Sequence, residues 1–451
     1  MIKNCIKKSI IIGIIILFIG TSVISATNLN IKKDKNFIKE TQLCIDSFNI
    51  YDIIYQISYI FKMGQYVQQT SDNGYIVTGY NGEIDVSDPG IYSKINTVLM
   101  KYDSNGNKQW SKTFELAGAN EGSSVKQIDQ NGYIICGSIV LSNKTNAMIL
   151  RTDGQGNEEW MKTYEGLGYA QGTRIQQTDD NGFVFTGSTK SEEDNISHML
   201  LLKTDENGNQ EWFKTYEFGY SSIGNSVQQT KDYGYIICGF IISQDKLNSS
   251  ILVVKTDENG NSEWFKTYKY MDINRGYSIQ QTNDQGFIIG GYMVSSFGLN
   301  KLALLLKINE NGNEQWHKSY SDKFGYYAQQ TKDNGYILCG VSYSNYNYQA
   351  LLIKTDEQGK TEWTKTYKAL GNAQGIMVQQ TIDNGYILTG STIKSAISME
   401  TYILLLKTDD KGNQVWITNL NRNFFYNFFI SNFLNQFFSR FPILQKIQNM
   451  A

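Results

Sequence analysis

Seven copies of one β-hairpin, a repeat period of about 50 residues and seven tryptophans all spent in those hairpins predict an all-β chain. The fold is a seven-bladed β-propeller of four-stranded antiparallel blades, one repeat per blade. The clearest copy runs from Leu200 to Tyr216: an apolar strand, Lys203-Thr204-Asp205, Asn207-Gly208, then the strand of Trp212. Asn-Gly between two such strands predicts a type I′ turn, because both residues accept positive φ.

The repeat is taut in some places and loose in others. From the basic residue to the tryptophan the step is nine in every copy: Lys101 to Trp110, Arg151 to Trp160, Lys203 to Trp212, Lys255 to Trp264, Lys307 to Trp316, Lys354 to Trp363 and Lys407 to Trp416. From the second residue of the opening Gln-Gln-Thr to a turn glycine and on to a strand-end glycine the steps are five and five, as in Gln69, Gly74 and Gly79. The second repeat departs from Gln-Gln-Thr and carries Lys126-Gln127-Ile128. Fixed steps mark hairpins, since one inserted residue would turn every later side chain to the wrong face. Each tryptophan is expected to wedge between neighbouring blades and bury on the order of 200 Å².

Along the chain, Lys3, Lys7 and Lys8 precede an apolar run, Ser9 to Ala26, that reads as an export signal, with an uncleaved anchor as the alternative. This places the protein outside the cytoplasm, secreted or at the cell surface. Residues 27–64 read as a linker, lysine-rich at first, that includes at Asp52 to Ile60 a candidate extra strand latching the last blade. The propeller takes 65–420. Residues 421–451 hold eight phenylalanines and read as a short helical tail. A cap on the propeller, a membrane-interface or envelope contact, and oligomerisation stand as its alternatives.

The connections of variable length all emerge on one face, and the tight turns on the other. Binding residues on a rigid scaffold usually sit on such variable loops. The candidate binding face therefore holds Tyr80, Glu83, Asp85, Asp88 and Tyr92 around the longest loop, Asn81 to Asn96. Tyr169, Tyr220, Tyr270, Tyr292 and Tyr346, with Tyr343 and Tyr348, add aromatic surface for a glycan or a protein.

Composition narrows the partners. A net charge of −2 argues against nucleic acid. The two histidines, His198 and His317, fall in different repeats, and no metal site is expected. Cys136, Cys238 and Cys339 share one slot in non-adjacent repeats, too far apart to pair, and read as small buried hydrophobes.

The Leu-Lys-Thr-Asp-x-x-Gly-Asn-x-x-Trp hairpin resembles the blade repeat of quinoprotein-type (PQQ-like) propellers, and the whole repeat resembles those of exported prokaryotic propeller proteins. Kelch repeats match less well, through Gly290-Gly291 alone. The resemblance implies a fold and not an activity. Quinone dehydrogenases use adjacent disulfide-bonded cysteines and a compact metal-binding set. This chain has no neighbouring cysteines, so no cofactor is expected.

Other chemistry was weighed residue by residue. Asp205, Asn207 and Asn209 offer oxygens at alternate positions, as in a calcium loop, but the glycine and distal glutamate of that loop are misplaced, and turn chemistry accounts for them. The Gln-Gln pairs either line the central channel or satisfy backbone groups between blades; the second is preferred. Paired carboxylates of a glycosidase or lyase would come from loop acids such as Glu83, Asp85, Asp88, Glu121, Asp245 and Asp272. The preferred reading is a non-catalytic binding or interaction module. A carbohydrate-active enzyme and a structural envelope component are the alternatives.

Overall fold

The computed structural model describes residues 58–85, 92–128, 132–164, 167–191, 196–295, 300–344, 347–369, 371–393 and 401–419. The expected export signal, the linker up to residue 57 and the phenylalanine-rich tail lie outside the described residues. The propeller is the compact unit formed by Ile60–Glu83 and the described residues from Tyr92 onward. Of the other unit only the strand-end residues Ser58, Tyr59, Ile84 and Asp85 are described.

Among the described residues, strands β1–β28 run four to a blade in chain order. In the first blade these are β1 (Ser58–Gln69), β2 (Tyr75–Asp85), β3 (Tyr92–Tyr102) and β4 (Lys108–Phe114), paired as β1-β2-β3-β4. Five other blades repeat this order. In the third blade β9 (Tyr169–Gln177) lies along a sheet of β10 (Phe183–Lys190), β11 (Ser197–Thr204) and β12 (Gln210–Tyr216). There the Thr173 hydroxyl donates to the Thr186 carbonyl at 3.0 Å.

Second and third strands are buried on both faces, which is why they read as unbroken apolar runs such as Leu200–Leu202. The core lies between adjacent sheets: Ile236, Cys238 and Ile251 of the fourth blade pack with Phe287, Ile289 and Leu304 of the fifth. Cys136, Cys238 and Cys339 are buried and unpaired by disulfide, as expected. Burial raises all three thiols, Cys136 and Cys339 to about 12. Strand-end glycines are demanded by a close backbone approach. A Cβ on Gly79 would stand 1.9 Å from the Met63 carbonyl oxygen.

The nine-residue step has a direct cause. Lys101 stands opposite Trp110 across the hairpin, as Lys203 does opposite Trp212, with a bulge following the lysine. The turn is not type I′. Gly106 has φ +80°, but Asn105 is not in the left-handed region. The Gly106 N–H reaches the Asp103 carbonyl at 3.1 Å, which makes a type I turn closed by a left-handed glycine. The aspartate decides this: Asp103 Oδ1 accepts from the N–H groups of Asn105 and Asn107 at 2.9 and 2.8 Å, and its Oδ2 from the Asn107 amide at 2.9 Å. The oxygens of the suspected calcium loop are thus spent on the turn itself.

Each tryptophan wedges between blades, as expected. The indole of one blade lies on the hairpin glycine of the next, Trp110 on Gly156 and so on through Trp363 on Gly412. Trp416 lies on Gly106 and edges Tyr75 at 5.7 Å, so the last blade meets the first as any two neighbours meet. β28 (Gln414–Asn419) is the last blade's own outer strand, and Lys62 of β1 exchanges two bonds with the Thr401 hydroxyl, at 2.8 and 3.1 Å. The expected extra latch is therefore not needed: Ser58 to Ile60 are the start of β1, and residues 52–57 lie outside the described residues.

Candidate functional site: the channel and the variable face

The first strand of each blade lines the centre: β1, β5 (Asn120–Ile128), β9, β13 (Ser221–Gln229), β17 (Ile273–Gln281), β21 (Lys323–Gln330) and β25 (Asn372–Gln380). Their glutamines clasp neighbouring blades in both directions. The first glutamine's Oε1 accepts from the backbone N–H of the second glutamine one blade on, at 2.6–2.9 Å, from Gln127 on Gln68 round to Gln69 on Gln379. The second glutamine's Oε1 accepts from a turn N–H one blade back, at 2.8–3.1 Å, as Gln229 does from Asp179. The preferred reading of the pairs as backbone partners holds, and the first glutamines also border the channel.

One junction differs. The residue that would clasp Gln177 is Lys126, whose ammonium lies 5.0 Å from the Tyr66 ring centroid. Beside it Arg174 lies over two rings, 4.8 Å from Tyr66 and 5.4 Å from Tyr327, whose hydroxyls hydrogen-bond each other. Arg174 Nε and Nη1 are enclosed with no hydrogen-bond partner. Burial pushes the Lys126 ammonium down, and Arg174 pushes it the same way. The cavity here holds about 150 Å³ and a second, of about 340 Å³, opens toward the variable face, with Arg174 bordering both. Among the described residues that line the two, there is no carboxylate.

At the mouth of the second cavity an aromatic ridge begins. Tyr277 and Tyr326, both lining it, meet edge to face at 5.5 Å, and Tyr277 stacks on Tyr292 at 5.5 Å. The contacts continue outward from Tyr292 to Phe324 at 4.6 Å, to Tyr343 at 5.2 Å and to Tyr348 at 4.7 Å, where Tyr348 is 39% exposed. The Lys301 ammonium lies 4.6 Å from the Tyr343 centroid.

The expected face residues are scattered more widely than this ridge. Tyr292 belongs to it. Tyr80 donates to Met63 Sδ at 3.0 Å near the channel mouth. Tyr220 borders a separate open groove with His198 and Lys269, and the Lys246 ammonium lies 5.1 Å from its ring. Tyr169, at the start of β9, is 38% exposed. Tyr270 donates to Glu314 Oε2 at 2.7 Å and lies 4.2 Å from the His317 ring. That is the slot in which Phe218 meets Phe265 at 4.2 Å one blade earlier, so Tyr270 is a blade-to-blade packing residue.

The loop expected at Asn81 to Asn96 is mostly strand, since β2 runs to Asp85 and β3 starts at Tyr92. Glu83, Asp85 and Tyr92 are strand residues. Asp88 and Tyr346 lie outside the described residues. Of the loop acids, Asp245 is held within its own turn by Ser243, the Leu247 N–H and Asn248, which keep its carboxyl low. Glu121 is raised by burial, and the Ser138 hydroxyl donates to it at 3.1 Å. Among the described residues no cluster of three or more His, Cys, Asp or Glu is placed to hold a metal.

Arg174, Tyr277, Phe324 and Tyr326 were missed from sequence because they sit on the most regular strands. The signal available was alignment of the inner strands: Arg174 fills the slot of Tyr66, Ser124, Ser226, Ser278, Tyr327 and Met377.

No family model matches the chain, and no curated protein matches it. Solved propellers do. Puromycin hydrolase, in its S511A mutant complexed with PGG, is 7% identical with TM-score 0.51, over 79% of this chain and 54% of that one. The Dos1 propeller is 11% identical with TM-score 0.47, over 81% and 88%. Synechocystis apocarotenoid oxygenase (Glu150Asp mutant) is 10% identical with TM-score 0.45, over 82% and 96%. The chain spans about half the length of the hydrolase. At such identities the likeness is one of fold.

Proposed function

We propose that this chain is an exported or cell-surface, non-catalytic binding module whose variable face takes a glycan. The observation that carries the reading is the ridge from Tyr277 to Tyr348, a continuous row of rings from the channel mouth to an exposed edge. Rings of this kind offer apolar faces to sugar C–H groups and hydroxyls to sugar oxygens. The scaffold beneath is closed by tryptophan wedges and glutamine clasps, so the ridge is presented without an ordering cost on binding. The likeness of the hairpin to quinoprotein-type repeats supports a common blade ancestry and adds no cofactor. A protein ligand would use the same ridge.

The competing reading, a carbohydrate-active enzyme, rests on Glu121, which was expected on a loop but lies in β5, and whose carboxyl is raised by burial. Residues 27–451 are screened against a panel of polysaccharides for binding and for release of reducing ends. Binding that weakens at least tenfold in Tyr343→Ala and Tyr348→Ala supports the module. Turnover abolished by Glu121→Gln, or binding indifferent to both tyrosine changes, overturns it.

A further inference from the structure

We infer that the central channel holds a binding site for a small oxyanion, a carboxylate or a phosphate, gripped by Arg174 and Lys126. This site is separate from the ridge and does not depend on its ligand.

The argument begins from an electrostatic imbalance. Two cations face one cavity, and among the described residues lining it and its neighbour there is no acid. The buried lysines of the outer hairpins are paired: Lys101, Lys203 and Lys255 each reach a carboxylate at 2.7–2.8 Å. Arg174 instead leaves Nε and Nη1 enclosed and without partner, a costly state for a charged donor pair. Each of those nitrogens is one arm of a planar fork whose other arm is Nη2, and either fork matches the two oxygens of a carboxylate or phosphate.

The remaining walls suit an anion as well. The Tyr66 and Tyr327 hydroxyls lie beside the cations, and the channel-side glutamines supply polar surface without charge. Their rings hold the cations in place by cation–π contact without neutralising them. Space of about 150 Å³ admits a small oxyanion or several waters.

The cations are also specific to their blades. The inner strands carry glutamine where Lys126 stands, in all six other copies, and no second arginine where Arg174 stands. A residue serving the ring alone would follow the repeat. Burial and Arg174 both lower the Lys126 ammonium, and an anion beside it would favour its charged form again.

The repeat supplies substitutions that the fold already tolerates. Lys126→Gln installs the residue of the other blades, and Arg174→Ser that of the fourth and fifth. Residues 27–451 are titrated calorimetrically with sodium phosphate, with glucuronate and with neutral glucose. Saturable binding of phosphate or glucuronate but not glucose is expected, weakened at least tenfold by Arg174→Ser and several-fold by Lys126→Gln. The stronger of the two ligands identifies the oxyanion. Absence of saturable binding by both anions, or binding unchanged in both variants, overturns the site. The ridge variant Tyr348→Ala is expected to bind both anions normally, which separates failure here from failure of the glycan reading.

Discussion

Six blades carry a glutamine that clasps the next blade, a lysine buried against a turn aspartate, and a threonine that caps the same turn; the second blade has none of the three. It has Lys126, Arg151 and Ile128 in those places, with Gln130 where the aspartate would be. In the six, the lysine ammonium meets its aspartate at 2.7–2.9 Å, from Lys101 with Asp72 to Lys407 with Asp383. In the second blade Arg151 meets Glu159 at 2.8 Å, and its side chain is 31% exposed where the lysines are 3–6% exposed. Its β-turn at Ser142-Asn143 has both φ values positive, 50° and 62°. A repeat under uniform structural demand would not lose a clasp, a buried pair and a cap in one blade. The second blade gave up blade-to-blade bonding at the point where it delivers a cation to the channel.

The first way to break this comparison is to attack what the blades share. Trp264→Ala and Trp110→Ala, one in a regular junction and one feeding the second blade, should each cost about 3–5 kcal/mol. Their midpoints in denaturant should fall together. A much smaller loss at Trp110 would mean that the second blade is loosely docked, and that its differences reflect decay.

The ion pairs should separate the two kinds of blade. Lys307→Met removes a buried ammonium from Asp284 and should cost about 1–2 kcal/mol, moderated because the aspartate is half exposed. Arg151→Met should cost a few tenths of a kcal/mol. Acid gives a second readout. Partial burial raises Asp72, but bonds from Lys101, Thr70 and the Gly74 N–H outweigh it and hold the carboxyl at about 2. Its folded value lies below its unfolded one, so its contribution is complete above about 4 and is lost as pH falls toward 2. Asp180, Asp232, Asp284, Asp333 and Asp383 are lowered by the same partners. Asp72→Asn should flatten the acid limb of a stability–pH curve, and Arg151→Met should leave it unchanged.

The glutamine clasps are the most discriminating. Gln228→Ala removes a clasp on the Gln281 N–H, 2.6 Å long, and should cost about 1 kcal/mol. Lys126→Gln should stabilise by a similar amount, because it offers Gln177 a partner and removes a desolvated ammonium. A Lys126→Gln protein that is less stable than the parent would show that the lysine serves the ring.

The seven hairpins, the nine-residue step and the wedge tryptophans were legible in the chain, because each depends on neighbours in sequence or on a repeat that copies its own contacts. The turn type was misjudged, since Asn-Gly alone does not report that an aspartate two residues earlier will satisfy the turn N–H groups. The ridge was half legible. Tyr292, Tyr343 and Tyr348 lie near variable connections, but Tyr277, Phe324 and Tyr326 sit on inner strands whose regularity marked them as scaffold. Lys126 was visible as a departure from Gln-Gln-Thr without a meaning. Only ring closure, which brings strands from the first, second, third and sixth blades around one narrow axis, sets Tyr66, Lys126, Arg174 and Tyr327 together. Local hydrogen bonding and hydrophobic period determine a blade. Which charges then share a low-dielectric channel is settled by contacts far apart in sequence, and one chain read in order does not display them.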